Sequence, residues 1–164
     1  MQALYDPPPR INVILAASQE KGYPWKYTFE KPGVNWFQLG FDDQSWERGQ
    51  GGFGTKETPG AVVRTDWSTP DIWLRRTVVL PAEQLKNPHL LLHHDEDATV
   101  YINGVLAANA EGYTTSYVFV QLTPEGRAAL RPGENLIAIH CRQTSGGQYI
   151  DAGLLDLIEP PEER

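Results

Sequence analysis

Polar and apolar positions in this chain alternate far more often than they recur at helical spacing. The stretch "IWLRRTVVL" sets Ile72, Leu74, Val78 and Leu80 on one face and Trp73, Arg75 and Thr77 on the other. That is the period of a strand with one side in a core. "WKYTF", from Trp25 to Phe29, alternates in the same way. "HLLLHH", "ATVYI", "VLAA", "SYVFVQL", "NLIAIHC" and "GLLDLI" bring the predicted strands to about eight, separated by turn signals such as "NG", "EG" and "RPGEN". Asn103-Gly104 predicts a hairpin with "ATVYI" and "VLAA" as its arms, because a type I′ turn needs two positive φ values. One segment reads as helix: "TPEGRAAL", Thr123 to Leu130, with a Thr cap, Pro at the first position and Gly133 beyond the end. There is no βαβ rhythm and no internal repeat. The pattern predicts an all-β antiparallel sandwich or jelly roll with one short helix.

The first sixty residues are less regular. Asp42-Asp43-Gln44-Ser45 is an Asx-turn sequence. Gly49 to Gly60, "GQGGFGTKETPG", predicts a surface loop whose backbone either moves or lies close against something else. At 164 residues the chain is expected to hold one domain, with residues 1–22 as an N-terminal extension, 23–159 as the sandwich and 160–164 as a tail. Composition and the remaining pattern change this picture in four ways. A net charge of −7 without any Lys/Arg cluster argues against nucleic acid as a partner. No apolar run approaches the roughly 18 residues of a membrane span. "MQALYDPPPR" lacks the basic-then-apolar pattern of a signal peptide, and the chain reads as a piece of something longer. The only cysteine, Cys141, lies in an apolar run and is expected to behave as a small buried hydrophobe.

The candidate chemistry centres on "HHDEDATVYINGV", His93 to Val105. Asp95, Glu96 and Asp97 admit three readings. As turn acids they would bond backbone amides. As ligand or cation contacts they would face outward. As a catalytic pair they would need carboxyls about 5 to 9 Å apart across a bond. Their place between two strands favours the turn. His94 shares a register with Leu90 and Leu92, and His140 with Leu136 and Ala138, so the two imidazoles would converge if their strands were neighbours. Their spacing matches no zinc signature. No Ser-His-Asp spacing, nucleophile elbow, P-loop or zincin motif is present, so no catalytic residue is assigned. No cofactor is implied, although calcium near Asp42-Asp43 or Asp95 to Asp97 is a candidate structural ion.

Several motifs together carry a family likeness. Arg75-Arg76, the acids 95–97, Tyr101-Ile102-Asn103-Gly104, Gly112-Tyr113-Thr114-Thr115, Gly133 to Ile139 and "FDDQSWERGQGGFG" resemble the galactose-binding-like jelly roll. The likeness is greatest to the sugar-binding domain of family 2 glycoside hydrolases and covers roughly Trp25 to Ile158. Ancillary modules of secreted bacterial enzymes are also similar. The resemblance implies a non-catalytic carbohydrate-binding or ancillary module of a larger carbohydrate-active or hydrolytic enzyme, secreted or periplasmic as part of that protein, with a neighbouring catalytic domain as partner. Sugars bind by stacking on aromatics and by bidentate polar groups. On that basis the expected ligand residues are Trp67, Asp95, Glu96, Tyr113, Gln148, Tyr149 and Asp151, gathered at one loop end. The expected ligand is a neutral oligo- or polysaccharide, since the net charge would repel an anionic one. A purely structural brace for a catalytic domain is the alternative, and a free-standing glycoside hydrolase using the three acids is a third.

Overall fold

Alternation sorts the side chains of the computed structural model, which describes residues 10–158, into two facing sheets. In chain order the strands are β1 (Arg10–Leu15), β2 (Pro24–Thr28), β3 (Glu47–Gln50), β4 (Phe53–Gly54), β5 (Thr65–Asp66), β6 (Asp71–Leu80), β7 (Pro88–Asp95), β8 (Asp97–Ile102), β9 (Val105–Ala110), β10 (Val118–Gln121), β11 (Gly133–Arg142) and β12 (Tyr149–Ile158). Helix α1 (Pro124–Ala129) lies between β10 and β11. The first sheet has the order β3-β2-β6-β11-β8-β9; the second runs β10-β7-β12-β4-β5, with β1 also on β12. Every pairing is antiparallel except the short β4–β5 contact. The fold is the all-β sandwich with one short helix that the pattern predicts.

The inward sets meet between the sheets. Ile72, Leu74, Val78 and Leu80 of β6 join Val100, Ile102, Ile137 and Ile139 from one side; Leu90, Leu92, Ile150 and Leu154 come from the other. Each fully buried side chain of this kind contributes about 1.5–3 kcal/mol. Cys141 is buried among them, and burial pushes its thiol pKa well up. At the β8–β9 turn Asn103 has φ +50° and Gly104 φ +82°, the left-handed pair the hairpin requires. Asn103 also has a second task. Its amide nitrogen donates to the Ala129 carbonyl and the Asn135 side chain, and its oxygen accepts from the Leu136 amide. The Asn-Gly and Gly-Glu-Asn motifs therefore lock one hairpin to the start of β11. Thr123 caps α1 by accepting the Gly126 amide at 2.9 Å.

Two segments depart from the sequence reading, and a third takes one of the two options it offered. Residues 10–22, placed in an extension, supply β1, which pairs with β12 from Arg10↔Ile158 to Leu15↔Leu154. Residues 1–9 and the tail 160–164 lie outside the described residues. The Gly-rich segment takes the close-approach option: Gly51 to Gly54 are buried, and a Cβ on Gly54 would stand 2.1 Å from the Gln148 carbonyl oxygen. Strand β12 begins at Tyr149, four residues before the apolar run "GLLDLI" that predicts it. The two histidines do not converge, because β7 and β11 belong to different sheets. His140 instead stacks on Trp73, rings 4.8 Å apart, and contacts Asp71 at 2.7 Å.

A strap formed by residues 29–46 crosses the outer face of the first sheet. Trp36 and Phe37 pack on Tyr101. Arg75 holds the strap by donating to the carbonyls of Trp36 and Gln38 and to Asp43. Burial pushes the Asp43 carboxyl up, but the bonds from Lys26 and Arg75 outweigh it and hold its pKa below the ordinary value. The Asx turn forms as expected, with the Gln44 amide on Asp42 at 3.0 Å.

Candidate functional site

Four loops do gather at one end of the sandwich: the turn between β7 and β8, the β5–β6 loop, the β9–β10 loop and the β11–β12 loop. Backbone and side-chain bonds knit them together. Thr114 donates its amide to the His94 carbonyl at 2.7 Å. His94 Nδ1 lies between the carbonyl oxygens of Glu96, at 2.7 Å, and Gly112, at 3.0 Å, so this nitrogen carries a proton. Glu96 accepts from the Thr144 hydroxyl at 2.5 Å and the Ser145 amide at 3.3 Å. Asp97 accepts the Gly112 amide at 2.7 Å.

Two of the three acids thus have separate structural tasks. Glu96 orders the β11–β12 loop, and Asp97 ties the start of β8 to the end of its hairpin partner. Asp95 is nearly buried, and burial first, then the charge of Glu96, raises its pKa; His94 opposes the shift. Replacing Asp97 by Ala removes one local bond to a charged acceptor and is expected to lower unfolding free energy by about 1–2 kcal/mol. Urea denaturation at neutral pH measures it, and an unchanged midpoint would remove the structural role.

The structure corrects the stacking assignments. Trp67 is 0% exposed and belongs to the core. Its indole nitrogen donates to the Thr69 hydroxyl at 3.1 Å and the Asp71 carbonyl at 3.2 Å. Both faces of the ring are occupied by protein, so no sugar can lie on it. Tyr149 is also 0% exposed, with its hydroxyl on the Val62 carbonyl at 2.9 Å. Gln148 is buried as a loop clasp: its side chain donates to the Thr69 carbonyl at 2.7 Å and its amide to Thr58 at 2.8 Å. Tyr113 alone among the aromatic candidates faces solvent, at 68% exposure. Glu96 lies partly exposed beside that loop.

Asp151 belongs to a different assembly, one that sequence reasoning did not foresee. It faces outward from β12 directly opposite His93 of β7. Residues 55–64 cover this patch: Val62 bonds Tyr149, and Gly60 lies against the His93 ring. Asp151 Oδ2 accepts the Ser18 amide at 2.8 Å and the Tyr117 hydroxyl. Its Oδ1 and both ring nitrogens of His93 have no hydrogen-bond partner. Burial pushes the Asp151 carboxyl up to about 6, against the pull of the Tyr117, Ser18 and Ala152 donors and the Arg76 charge. Burial, then the charge of His94, pushes His93 down. The alternation Tyr149, Asp151, Gly153, Leu155 was the available signal, since it marks an outward strand face.

Among the described residues no three His, Cys, Asp or Glu side chains are placed to hold a metal ion, and no helix is long and apolar enough to cross a membrane. No family model matches the chain, and no curated protein matches it. Solved structures do. A glycosyl hydrolase family 2 member from Bacteroides cellulosilyticus is similar with a TM-score of 0.61 at 16% identity, over 88% of this chain and 21% of that one. A Bacteroides uniformis beta-glucuronidase is similar with a TM-score of 0.58 at 20% identity, over 92% and 18%. A beta-glucuronidase from Ruminococcus gnavus gives 0.57 at 13% identity, over 96% and 30%. The described sandwich therefore shares its fold with one part of these much longer chains.

Proposed function

We propose that the chain is a non-catalytic ancillary module of a larger, secreted or periplasmic carbohydrate-active enzyme, and that its loop end braces a neighbouring catalytic domain. Support for the setting comes from a fold shared with a fifth to a third of several glycoside hydrolase chains. The choice of brace over sugar grip is carried by one observation: Trp67, the intended platform, is inside the core. Bracing asks for a rigid end, and Glu96, Asp97, His94 and Gln148 supply one by clasping four loops to each other. Catalysis asks for two carboxyls facing one cavity, whereas Glu96 and Asp97 are turned toward different amides.

The exposed ring of Tyr113 beside Glu96 favours a second reading, a shallow neutral-saccharide contact with affinity on the order of 0.1–1 mM. Both readings are tested on the same chain. Calorimetry against neutral oligosaccharides and a turnover assay on aryl glycosides should show neither heat nor product. Heat lost in Tyr113→Ala would replace the brace by the sugar contact. Turnover lost in Glu96→Gln would replace it by an enzyme.

A further inference from the structure

On the outer face of the first sheet, β3, β2 and β6 bring three cations into one cross-strand row. Arg48 is opposite Lys26, and Lys26 is opposite Arg75. Like charges directly opposite each other lower sheet stability. Asp43 compensates part of the row, at 2.7 Å from Lys26 and 2.8 Å from Arg75. Arg75 is then nearly saturated, since its remaining donors serve the strap carbonyls. Lys26 uses one of its three hydrogens and keeps a side chain 30% exposed. Arg48 is exposed, and its guanidinium has no partner among the described residues.

This row forms the wall of an open groove of about 650 Å³, a size typical of small-molecule sites. Thr77 and Leu136, opposite each other on β6 and β11, lie along it, and Phe41 of the strap overhangs it. Two carboxylates line the groove: Asp43, already neutralised by its pairs, and Glu134 further along. A chain of net charge −7 thus keeps one locally positive wall with unused donors.

We propose that this groove binds a saccharide carrying carboxylate or sulfate groups. Arg48 offers a planar fork that matches either anion bidentately, and Lys26 adds a mobile point charge. Phe41, whose ring is already covered by the Arg75 guanidinium on one face, adds apolar lining, and Thr77 and Glu134 meet hydroxyls. The assignment of an anion comes from the row itself. The assignment of a saccharide rests on the ancillary-module reading above. The whole-chain charge argues against such a ligand at a distance, but within a Debye length of about 8–10 Å the local row decides.

The test is calorimetry on the full chain with four probes: a galacturonic acid tetramer, its fully methyl-esterified form, a sulfated disaccharide and a glutamate pentapeptide. The acidic tetramer or the sulfated disaccharide should bind with affinity on the order of 0.1–1 mM. Binding should weaken at least about fivefold between roughly 20 mM and 300 mM sodium chloride. Arg48→Glu should cost at least about tenfold in binding with the melting temperature kept or slightly raised, since that side chain bonds nothing in the fold and the change removes a like charge opposite Lys26. Whichever of the two saccharides binds identifies the anion. Absence of binding by both, equal binding of the esterified tetramer, or an unaffected Arg48→Glu variant would overturn the site. A pentapeptide that binds as well as the sugars would overturn the saccharide assignment. The outcomes with the charged probes leave the brace untouched; binding of the esterified tetramer, a neutral oligosaccharide, overturns the brace only if Tyr113→Ala abolishes it.

Discussion

Replacing Trp67 by Ala is expected to lower the unfolding free energy by about 3–5 kcal/mol, among the largest effects of a single core truncation. The ring is fully buried in the main apolar cluster, and its nitrogen is bonded to Thr69 and Asp71. Removing it leaves a cavity and also strips the Thr69 hydroxyl of its donor, while the Asp71 carbonyl keeps only the bond from Thr69. Equilibrium urea unfolding, followed by circular dichroism, reads the loss directly. Trp67→Phe should recover part of it, because the phenyl ring refills much of the cavity without restoring the bonds. A sugar platform would behave in the opposite way, with binding lost and stability kept. A Trp67→Ala variant melting within about a degree of the native chain would contradict the buried placement.

Asp151→Asn is expected to stabilise the chain relative to the native protein, increasingly so as pH rises from about 4 to about 6. The sign follows from the direction of the shift. Asp151 ionises near 3.8 when unfolded but only near 6 in the folded chain. Below 3.8 both states are protonated and the group contributes nothing. Between the two values the folded state binds the extra proton, so stability falls as pH rises. Above about 6 the full penalty is present, about 3 kcal/mol for a displacement of this size. His93 works the other way. Its lowered pKa leaves it neutral when folded, so the stability it contributes is present above its ordinary value of 6.5 and is lost as pH falls below that. His93 is present in both proteins, so the difference between them isolates Asp151. In the variant the amide oxygen can still accept from Ser18 and Tyr117, while its new hydrogens replace an oxygen that has no partner. That replacement sets a constant offset and leaves the pH slope intact. Paired urea titrations at pH about 4 and about 7 measure it, and a difference independent of pH would show that Asp151 is not a buried carboxyl of raised pKa.

The two predictions also mark where the sequence was legible. β6 and β8 are visible because apolar residues recur at every second position, and β7, β9 and β11 because they are short continuous apolar runs bounded by turn residues. β3 is not, since Glu47 to Gln50 carries no apolar side chain, and β4 and β5 are two residues each. The fate of Trp67 was obscured by its Ser/Thr/Pro surroundings, which read as loop, yet the ring swings inward from that loop. Tyr149 and Asp151 were hidden by a longer-range cause. Residues 55–64 cross their strand from far away in the sequence, and local pattern says nothing about what will lie over an outer sheet face. The motif residues fared differently. Asn103, Asn135 and Arg75 were legible as a family likeness, but their work as hairpin lock and strap anchor is visible only in their bonds.

The pairing of β1 with the end of β12 has a mechanical side. Arg10 and Ile158 are opposite each other, so their chain directions leave the sandwich from the same end of one antiparallel ladder. Tension applied between these two residues acts across the strands. It loads the hydrogen bonds one pair at a time, as a zipper is opened, and never all together in shear. The side chains of β1 from Arg10 to Val13 are exposed and hold little of the core. The ladder shifts register between Val13 and Leu15, and Leu15 is the first of its residues to be buried. Under load β1 should therefore peel inward to that point and stop there, a compliant tether of a few residues in front of a stiff body.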